Sequence, residues 1–275
     1  MAKKKQGGTT ELKQWIKKFW VLYFSVLGFL FLFFTAMSFG LLGFMPSFEE
    51  LENPKSNLAS EVISADQEVL GKYYIENRSN IHYSDLSPNL VNAIISTEDS
   101  RFHSHSGIDV KALFRVTFGI VTGNRKGGGS TITQQLAKNL FPRKTDRNFI
   151  ETVFIKMKEW ITAIKLERNY TKEEILAMYF NTVDFGSNSF GIKSAAKTFF
   201  NKAPADLTVE ESAMLVGMLK APTWFSPVRN PERAMKRREV VLNQMRKHDY
   251  LTEQQYDSLR VLPLDMTGYS MQDHA

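Results

Sequence analysis

Three short stretches carry side chains whose types and spacing could do chemistry. The first runs Thr97-Glu98-Asp99-Ser100-Arg101-Phe102-His103-Ser104-His105-Ser106-Gly107. It sets two carboxylates, an arginine and two histidines after the apolar run Leu90–Ser96, and a carboxylate there can take the proton of a poor nucleophile as it attacks. The same composition also suits the polar end of a helix. His103-x-His105 is a weak metal signal, because no third ligand has recognisable spacing. The second stretch is Gly127-Gly128-Gly129-Ser130-Thr131-Ile132-Thr133-Gln134-Gln135-Leu136-Ala137-Lys138-Asn139. Glycines permit close backbone approach, and the helix start that follows offers free amides to an anion. At about 100° per residue, Ser130, Thr131, Gln134, Gln135 and Lys138 share one face, with Ile132, Leu136 and Leu140 opposite. Such a stripe suits a phosphate or a sugar, although alone it also reads as a linker joined to a solvated face. It is not a P-loop, since the glycine-lysine-serine order is absent. The third stretch is Lys156-Met157-Lys158-Glu159, where Lys156 and Glu159 at i,i+3 would by themselves make a surface ion pair.

The elements that must position these stretches are mainly helical. Ser87-Pro88 and Asn230-Pro231 each pair a cap with proline at the first helical position. Capping boxes are predicted at Thr171…Glu174, Thr208…Glu211 and Thr252…Gln255, and the long helix carrying the third stretch is read from Lys156 to Glu167. Ser60–Ala65 and Glu68–Ile75, flanking Asp66-Gln67, read as a short β-hairpin. There are no internal repeats and no alternating βα units.

Charge locates the chain. It has 275 residues, 35 basic and 29 acidic side chains and no cysteine. Disulfides, thiolate nucleophiles, iron–sulfur clusters and cysteine zinc sites are therefore excluded. Residues 1–18 hold six lysines against Glu11, a net +5 of the total +6, so the basic balance is a property of the tail and no nucleic-acid partner is expected. Residues 19–48 carry no charge and include 22 apolar residues, among them 9 of the 21 phenylalanines. About 20 such residues cross a bilayer. Trp15, Trp20 and Tyr23 stand near the start, where headgroups favour amphipathic rings. Ala36-Met37-Ser38 resembles a cleavage site, but the apolar run continues past it, so an uncleaved anchor is expected. Lysines before the span and Glu49, Glu50 and Glu52 after it keep the N-terminus cytoplasmic and export the rest. Chemistry outside the membrane cannot draw on cytosolic ATP or nucleotide sugars.

Together the three stretches resemble the peptidoglycan glycosyltransferases (glycosyltransferase family 51), the module found in class A penicillin-binding proteins and in monofunctional transglycosylases. Glu98-Asp99-x-x-Phe102-x-x-His105-x-Gly107 is similar to the first motif of that family, and Gly129 to Asn139 to the second. Ile155-Lys156-x-x-Glu159 resembles the third. Lys172-Glu173-Glu174-Ile175-Leu176 with Tyr179-Phe180-Asn181 and Gly186 resembles the fourth. Glu211-x-Ala213-x-Leu215 through Ala221-Pro222, Ser226-Pro227, Asn230-Pro231 and Arg237-Arg238 resembles the fifth. The resemblance spans roughly residues 59–247 in order.

It implies a mainly α, lysozyme-like helical domain with a short β-hairpin, preceded by one transmembrane helix. The implied organisation is 1–18 cytoplasmic basic tail, 19–45 transmembrane helix, 46–88 linker and hairpin, 89–262 glycosyltransferase domain and 263–275 tail or start of another domain. The implied activity joins lipid II into glycan strands at the outer face of the cytoplasmic membrane, inverting C1 and releasing polyprenyl pyrophosphate. Lipid II, nascent glycan and membrane lipids are the implied partners. The chain stops about where a bifunctional relative begins its transpeptidase region, so it is expected to be either a monofunctional enzyme or a piece of a bifunctional one, with a transpeptidase domain or other cell-wall synthesis proteins as further partners. By the resemblance Glu98 is the general base and Glu159 the second catalytic carboxylate, which positions the donor or contacts a divalent cation (magnesium or manganese). Ser130, Thr131, Gln134, Gln135, Lys138, Asn139 and Lys156 are assigned to substrate binding, Lys138 and Lys156 facing the pyrophosphate. Asp99, Phe102 and His105 are assigned to the same site, chiefly by shaping the first motif.

Two features depart from the family pattern. Ile155 stands where arginine is usual, and the stretch from Lys138 to Lys156 is longer by a few residues. Arg147, or else Arg143, is expected to supply the lost charge. The apolar segment Val110–Val121 is expected either to dip into the membrane or to form a core helix. Rival readings are a lysozyme-like muramidase, a non-catalytic membrane-anchored scaffold and a β-lactam-binding transpeptidase. The last is disfavoured: Ser194-Ala195-Ala196-Lys197 and Ser87-Pro88-Asn89 stand in the wrong order, with no lysine-threonine-glycine after them.

Overall fold

The structure, a computed structural model, describes residues 8–41, 60–63, 69–73, 81–123, 128–139 and 148–270. The chain forms two compact units, Met1–Pro46 and Ser47–Ala275. The first is built on helix α1, Gly8–Ser38. Its segment Leu12–Ser38 is, among the described residues, the one helix long and apolar enough to cross a membrane. Phe19, Trp20, Tyr23 and Phe24 pack ring against ring along it. The Thr35 hydroxyl donates to the Phe31 carbonyl at 2.8 Å, which satisfies a polar group inside an apolar helix. The helix begins earlier than expected and takes in Lys13, Lys17 and Lys18, while residues 42–45 lie outside the described residues.

In the second unit, strands β1 (Ser60–Ile63) and β2 (Val69–Tyr73) pair antiparallel, with Ser60 opposite Tyr73 and an irregularity between Val62 and Ile63. The expected turn Asp66-Gln67 lies outside the described residues. The rest is helical: α2 Pro88–Glu98, α3 Val110–Val121, α4 Ile132–Asn139, α5 Phe149–Asn169, α6 Lys172–Thr182, α7 Ile192–Phe200, α8 Val209–Met218, α9 Pro231–Lys247 and α10 Glu253–Arg260. Helices α2, α8 and α9 pack on one another, and α4 packs on α5 and α6. One continuous core joins them, from Leu90 and Ile94 on α2 through Ile132 and Leu136 on α4 to Leu215 on α8 and Leu242 on α9. Each such aliphatic side chain contributes about 1.5–3 kcal/mol by burial.

Helix ends follow the sequence closely. Ser87 Oγ accepts the Asn89 amide and donates to the Leu207 carbonyl, fixing the start of α2. The three predicted capping boxes form, and a fourth, Asn148 with Glu151, opens α5 seven residues before Lys156. Pro231 starts α9, but Asn230 does not cap it; its amide donates to the Thr223 carbonyl instead. The segment Val110–Val121 is a helix, and it is not a core helix. Only Ala112 and Gly119 are buried, while Val110, Phe114, Phe118 and Val121 are exposed. Residues 263–270, expected as a tail or the start of another domain, place Tyr269 against Phe199 and bond the Ser270 amide to the Thr198 carbonyl.

Candidate active site

Glu98 is the last residue of α2, and that position decides its surroundings. Asp99 leaves the helix with φ −155° and ψ 70°, so the chain turns sharply just past Glu98. The Glu98 side chain is 23% exposed and lies on the wall between two clefts. The larger, about 490 Å³, is lined by Ser130, Gln134, Gln135, Lys138, Asn139 and Lys156 from the second and third stretches. Tyr179, Val183, Asp184, Leu219, Lys220 and Pro222 complete it. The smaller, about 280 Å³, is lined by residues of the first stretch with Arg115, Gly128–Thr131, Gln244 and His248. Glu98 and Ser130 border both.

The two Glu98 oxygens have different neighbours. Gln135 Nε2 donates to Oε2 at 2.9 Å, and Arg237 Nη2 lies 4.0 Å from Oε1. Behind them the Tyr179 hydroxyl donates to Gln135 Oε1 at 3.1 Å. Burial, with Glu98 nearby, pushes the Tyr179 phenol far above its usual range. Burial lowers the Arg237 guanidinium from its ordinary value, and Glu98 partly restores it. Gly217 makes room for this arginine, because a Cβ there would come within 3.1 Å of Arg237 Cγ.

Asp99 faces inward. Both its oxygens lie 3.0 Å from His105 Nε2, and Oδ2 accepts the Ile132 amide at the start of α4. Thr131 Oγ1 donates to the Gly107 carbonyl and accepts the Gln134 amide, and Gln134 Nε2 donates to the same carbonyl. Gly107, at φ +87°, lies so close to α5 that a Cβ would stand 2.8 Å from the Ala163 carbonyl oxygen. Phe102 is fully buried with Lys172 Nζ 4.3 Å from its ring centre. Lys172 also donates to the His105 carbonyl and to Glu167, which accepts Thr133 as well. Phe102 and His105 therefore do not face either cleft; they hold the turn that carries Glu98.

Lys156 Nζ lies 2.6 Å from Glu159 Oε2 and donates to Ser130 Oγ at 3.2 Å. Glu159 is 3% exposed, so this is not the surface ion pair its spacing suggested. The stripe on α4 is likewise not a solvated face: Gln134 is buried, Gln135 half-buried, and only Lys138 stands in the open. Arg101 grips Asp109 with a two-pronged contact of 2.5–3.0 Å, and Asp109 caps α3 through the Ala112 amide. Burial acts to raise the Asp109 carboxyl, but that amide and the guanidinium outweigh it and hold the group below its usual range.

Glu159 is the carboxylate that the resemblance offers to a divalent cation. Glu159 is engaged by Lys156, and among the described residues no three histidine or carboxylate side chains converge. Arg143 and Arg147 lie outside the described residues. Tyr179, Asp184 and Lys220 line the larger cleft and Arg237 approaches Glu98, although none of the four is among the residues expected at the site from the sequence. Tyr179 and Arg237 were visible only as parts of the fourth and fifth motifs, with no local pattern to reveal their chemistry.

Comparison with known proteins identifies the family. A family model described as Transglycosylase matches residues 66–246. Penicillin-binding protein 1A of Neisseria gonorrhoeae is 39% identical over 214 residues, 78% of this chain and 26% of that one. The protein of the same name from Escherichia coli strain K12 is 36% identical over 219 residues, 78% of this chain and 25% of that one. A crystal structure of penicillin-binding protein 1A from Haemophilus influenzae is similar at a TM-score of 0.44 and 20% identity, over 80% of this chain and 22% of that one. The chain thus spans about a quarter of the length of the curated relatives it matches. With the family model covering more than half of the chain, the chain belongs to the transglycosylase family, the glycosyltransferase module of class A penicillin-binding proteins.

Proposed function

We propose that the chain is a peptidoglycan glycosyltransferase that polymerises lipid II at the outer face of the cytoplasmic membrane. The observation that carries the reading is the place of Glu98 between two clefts, one of them lined by Lys138, Lys156 and Lys220. The donor's pyrophosphate fits the lysine-lined cleft, where ammonium groups meet the charge that develops as the sugar leaves. The acceptor occupies the smaller cleft. Its 4-hydroxyl oxygen forms the new bond to C1 of the donor from the face opposite the leaving group, Glu98 takes the hydroxyl proton, and the C1–oxygen bond breaks with its electron pair going to the lipid pyrophosphate. C1 inverts. The donor arrives activated, which suits an exported site without nucleotide sugars.

Lys156 serves twice in this reading: it neutralises buried Glu159 and presents its remaining ammonium protons to the pyrophosphate. Helix α1 is the membrane anchor, with the N-terminus cytoplasmic. Helix α3 turns the exposed row Val110, Phe114, Phe118 and Val121 toward the lipid surface, and exposed Lys111 and Arg115 suit anionic headgroups. Arg147 remains the proposed substitute for the arginine missing at Ile155. A transpeptidase domain or other cell-wall synthesis proteins would act on the strands made here.

A muramidase also uses carboxylates on a helical scaffold, but three lysines in the donor cleft have no task in glycan hydrolysis. Incubating the chain with fluorescent lipid II, and separately with finished glycan strands, tests the reading. Polymer from the first and no fragments from the second are expected; fragments alone would overturn it.

A further inference from the structure

We infer that Tyr179 is a positioning residue that orients Glu98 through Gln135 and so makes Oε1 the oxygen that accepts the acceptor's proton. The inference rests on the reading of Glu98 as the general base. An amide side chain can present either end, and only Nε2 can donate to a carboxylate. Gln135 presents Nε2 to Glu98 Oε2 at 2.9 Å. The opposite end meets the Tyr179 hydroxyl at 3.1 Å, and Tyr179 is buried in the wall of the larger cleft. The neutral phenol donates its proton to Gln135 Oε1, and the amide then donates onward to the carboxylate. The three groups form one directed chain, in which each bond polarises the next.

Turning the amide over would set its carbonyl oxygen against Glu98 and strand the phenol proton. Tyr179 therefore selects one amide orientation from its buried place in the cleft wall. Glu98 Oε2 is occupied as a result, and Oε1, with Arg237 at 4.0 Å, is left to the reacting hydroxyl. The ring of Tyr179 packs edge-on against Phe180 and belongs to the core, so Tyr179→Phe removes only the orienting hydroxyl.

The test measures steady-state lipid II polymerisation by the full chain for wild type, Tyr179→Phe, Gln135→Leu, the double variant and Glu98→Gln. Tyr179→Phe should lower kcat between about 10- and 100-fold, the scale of a misaligned reacting group, with KM within about twofold. The double variant should match Gln135→Leu, because the hydroxyl has nothing to orient once the amide is gone. A wild-type kcat for Tyr179→Phe, a loss that falls on KM, or losses that multiply in the double variant would each overturn the inference. If Glu98→Gln polymerises normally, the reading of the site has failed instead, whatever Tyr179→Phe does.

Discussion

Asp99 Oδ2 accepts the backbone amide of Ile132 at 3.1 Å, across 33 residues of sequence. One carboxylate thus joins the end of α2, where Glu98 stands, to the first turn of α4, where the cleft-lining polar residues begin. The negative charge also suits that helix start. Asp99 is 6% exposed, so its loss leaves the Ile132 amide and His105 without their partner inside the protein.

Asp99→Leu should therefore lower the unfolding free energy by about 1–3 kcal/mol, the cost of buried polar groups left unsatisfied. Urea denaturation of the variant and the wild type measures this. An unchanged midpoint would show that the Asp99 link does not hold the two motifs together.

Gly107 makes a second link that tolerates no side chain. Its φ of +87° opposes substitution, and so does the Ala163 carbonyl oxygen, which would stand 2.8 Å from any Cβ at this position. Gly107→Ala is expected to cost more than about 1–3 kcal/mol, the ordinary range for backbone strain alone. Thermal unfolding checks this, and Ser106→Ala on the exposed neighbouring position should leave the midpoint in place.

These links mark the limit of what the sequence could disclose. Hydroxyl, amide and proline patterns act within four residues, so the starts of α2, α6, α8 and α10 were legible at Ser87, Thr171, Thr208 and Thr252. The start of α5 was missed because Asn148 and Glu151 follow a basic, proline-containing stretch that reads as loop. The spacing of Lys156 and Glu159 gave their pairing correctly, but only the packing of α5 against α4 buries the carboxylate. Phe102 and His105 belong to the first motif, yet a distant contact from Lys172 and the local pairing of His105 with Asp99 turn them inward. Tyr179 and Arg237 reach Glu98 from two further helices, and no local period encodes that meeting.

Stability should depend on pH through Asp109. Its carboxyl titrates lower in the folded chain than in the unfolded one, so the unfolded state takes up the proton first as pH falls. The stabilisation is fully present above the ordinary aspartate value of about 3.9 and is lost as pH drops through the lower folded value. The difference in unfolding free energy between wild type and Asp109→Asn should be constant from pH 5 to 7, by that same reference value of about 3.9, and shrink below it. Urea titrations at stepped pH give the curve. A gap that widens in acid would contradict the assignment.

The exposed row on α3 gives a membrane prediction. Phe114 and Phe118 are 73% and 71% exposed, so replacing both with serine should leave the melting temperature unchanged. Polymerisation of lipid II embedded in bilayers should fall several-fold, while turnover of a short-chain, water-soluble lipid II analogue should hold. Equal activity on both substrates would remove α3 from the membrane surface.

The proposed reaction turns on Glu98 taking the proton of the attacking sugar hydroxyl. Glu98→Gln keeps the size of the side chain and its place between the clefts, and removes the base. The most direct measurement is polymer formed from fluorescent lipid II by purified Glu98→Gln beside wild type, with the melting temperature recorded for both. The expected result is a folded variant that makes no detectable glycan polymer. A folded variant that polymerises at the wild-type rate would mean that Glu98 is not the base.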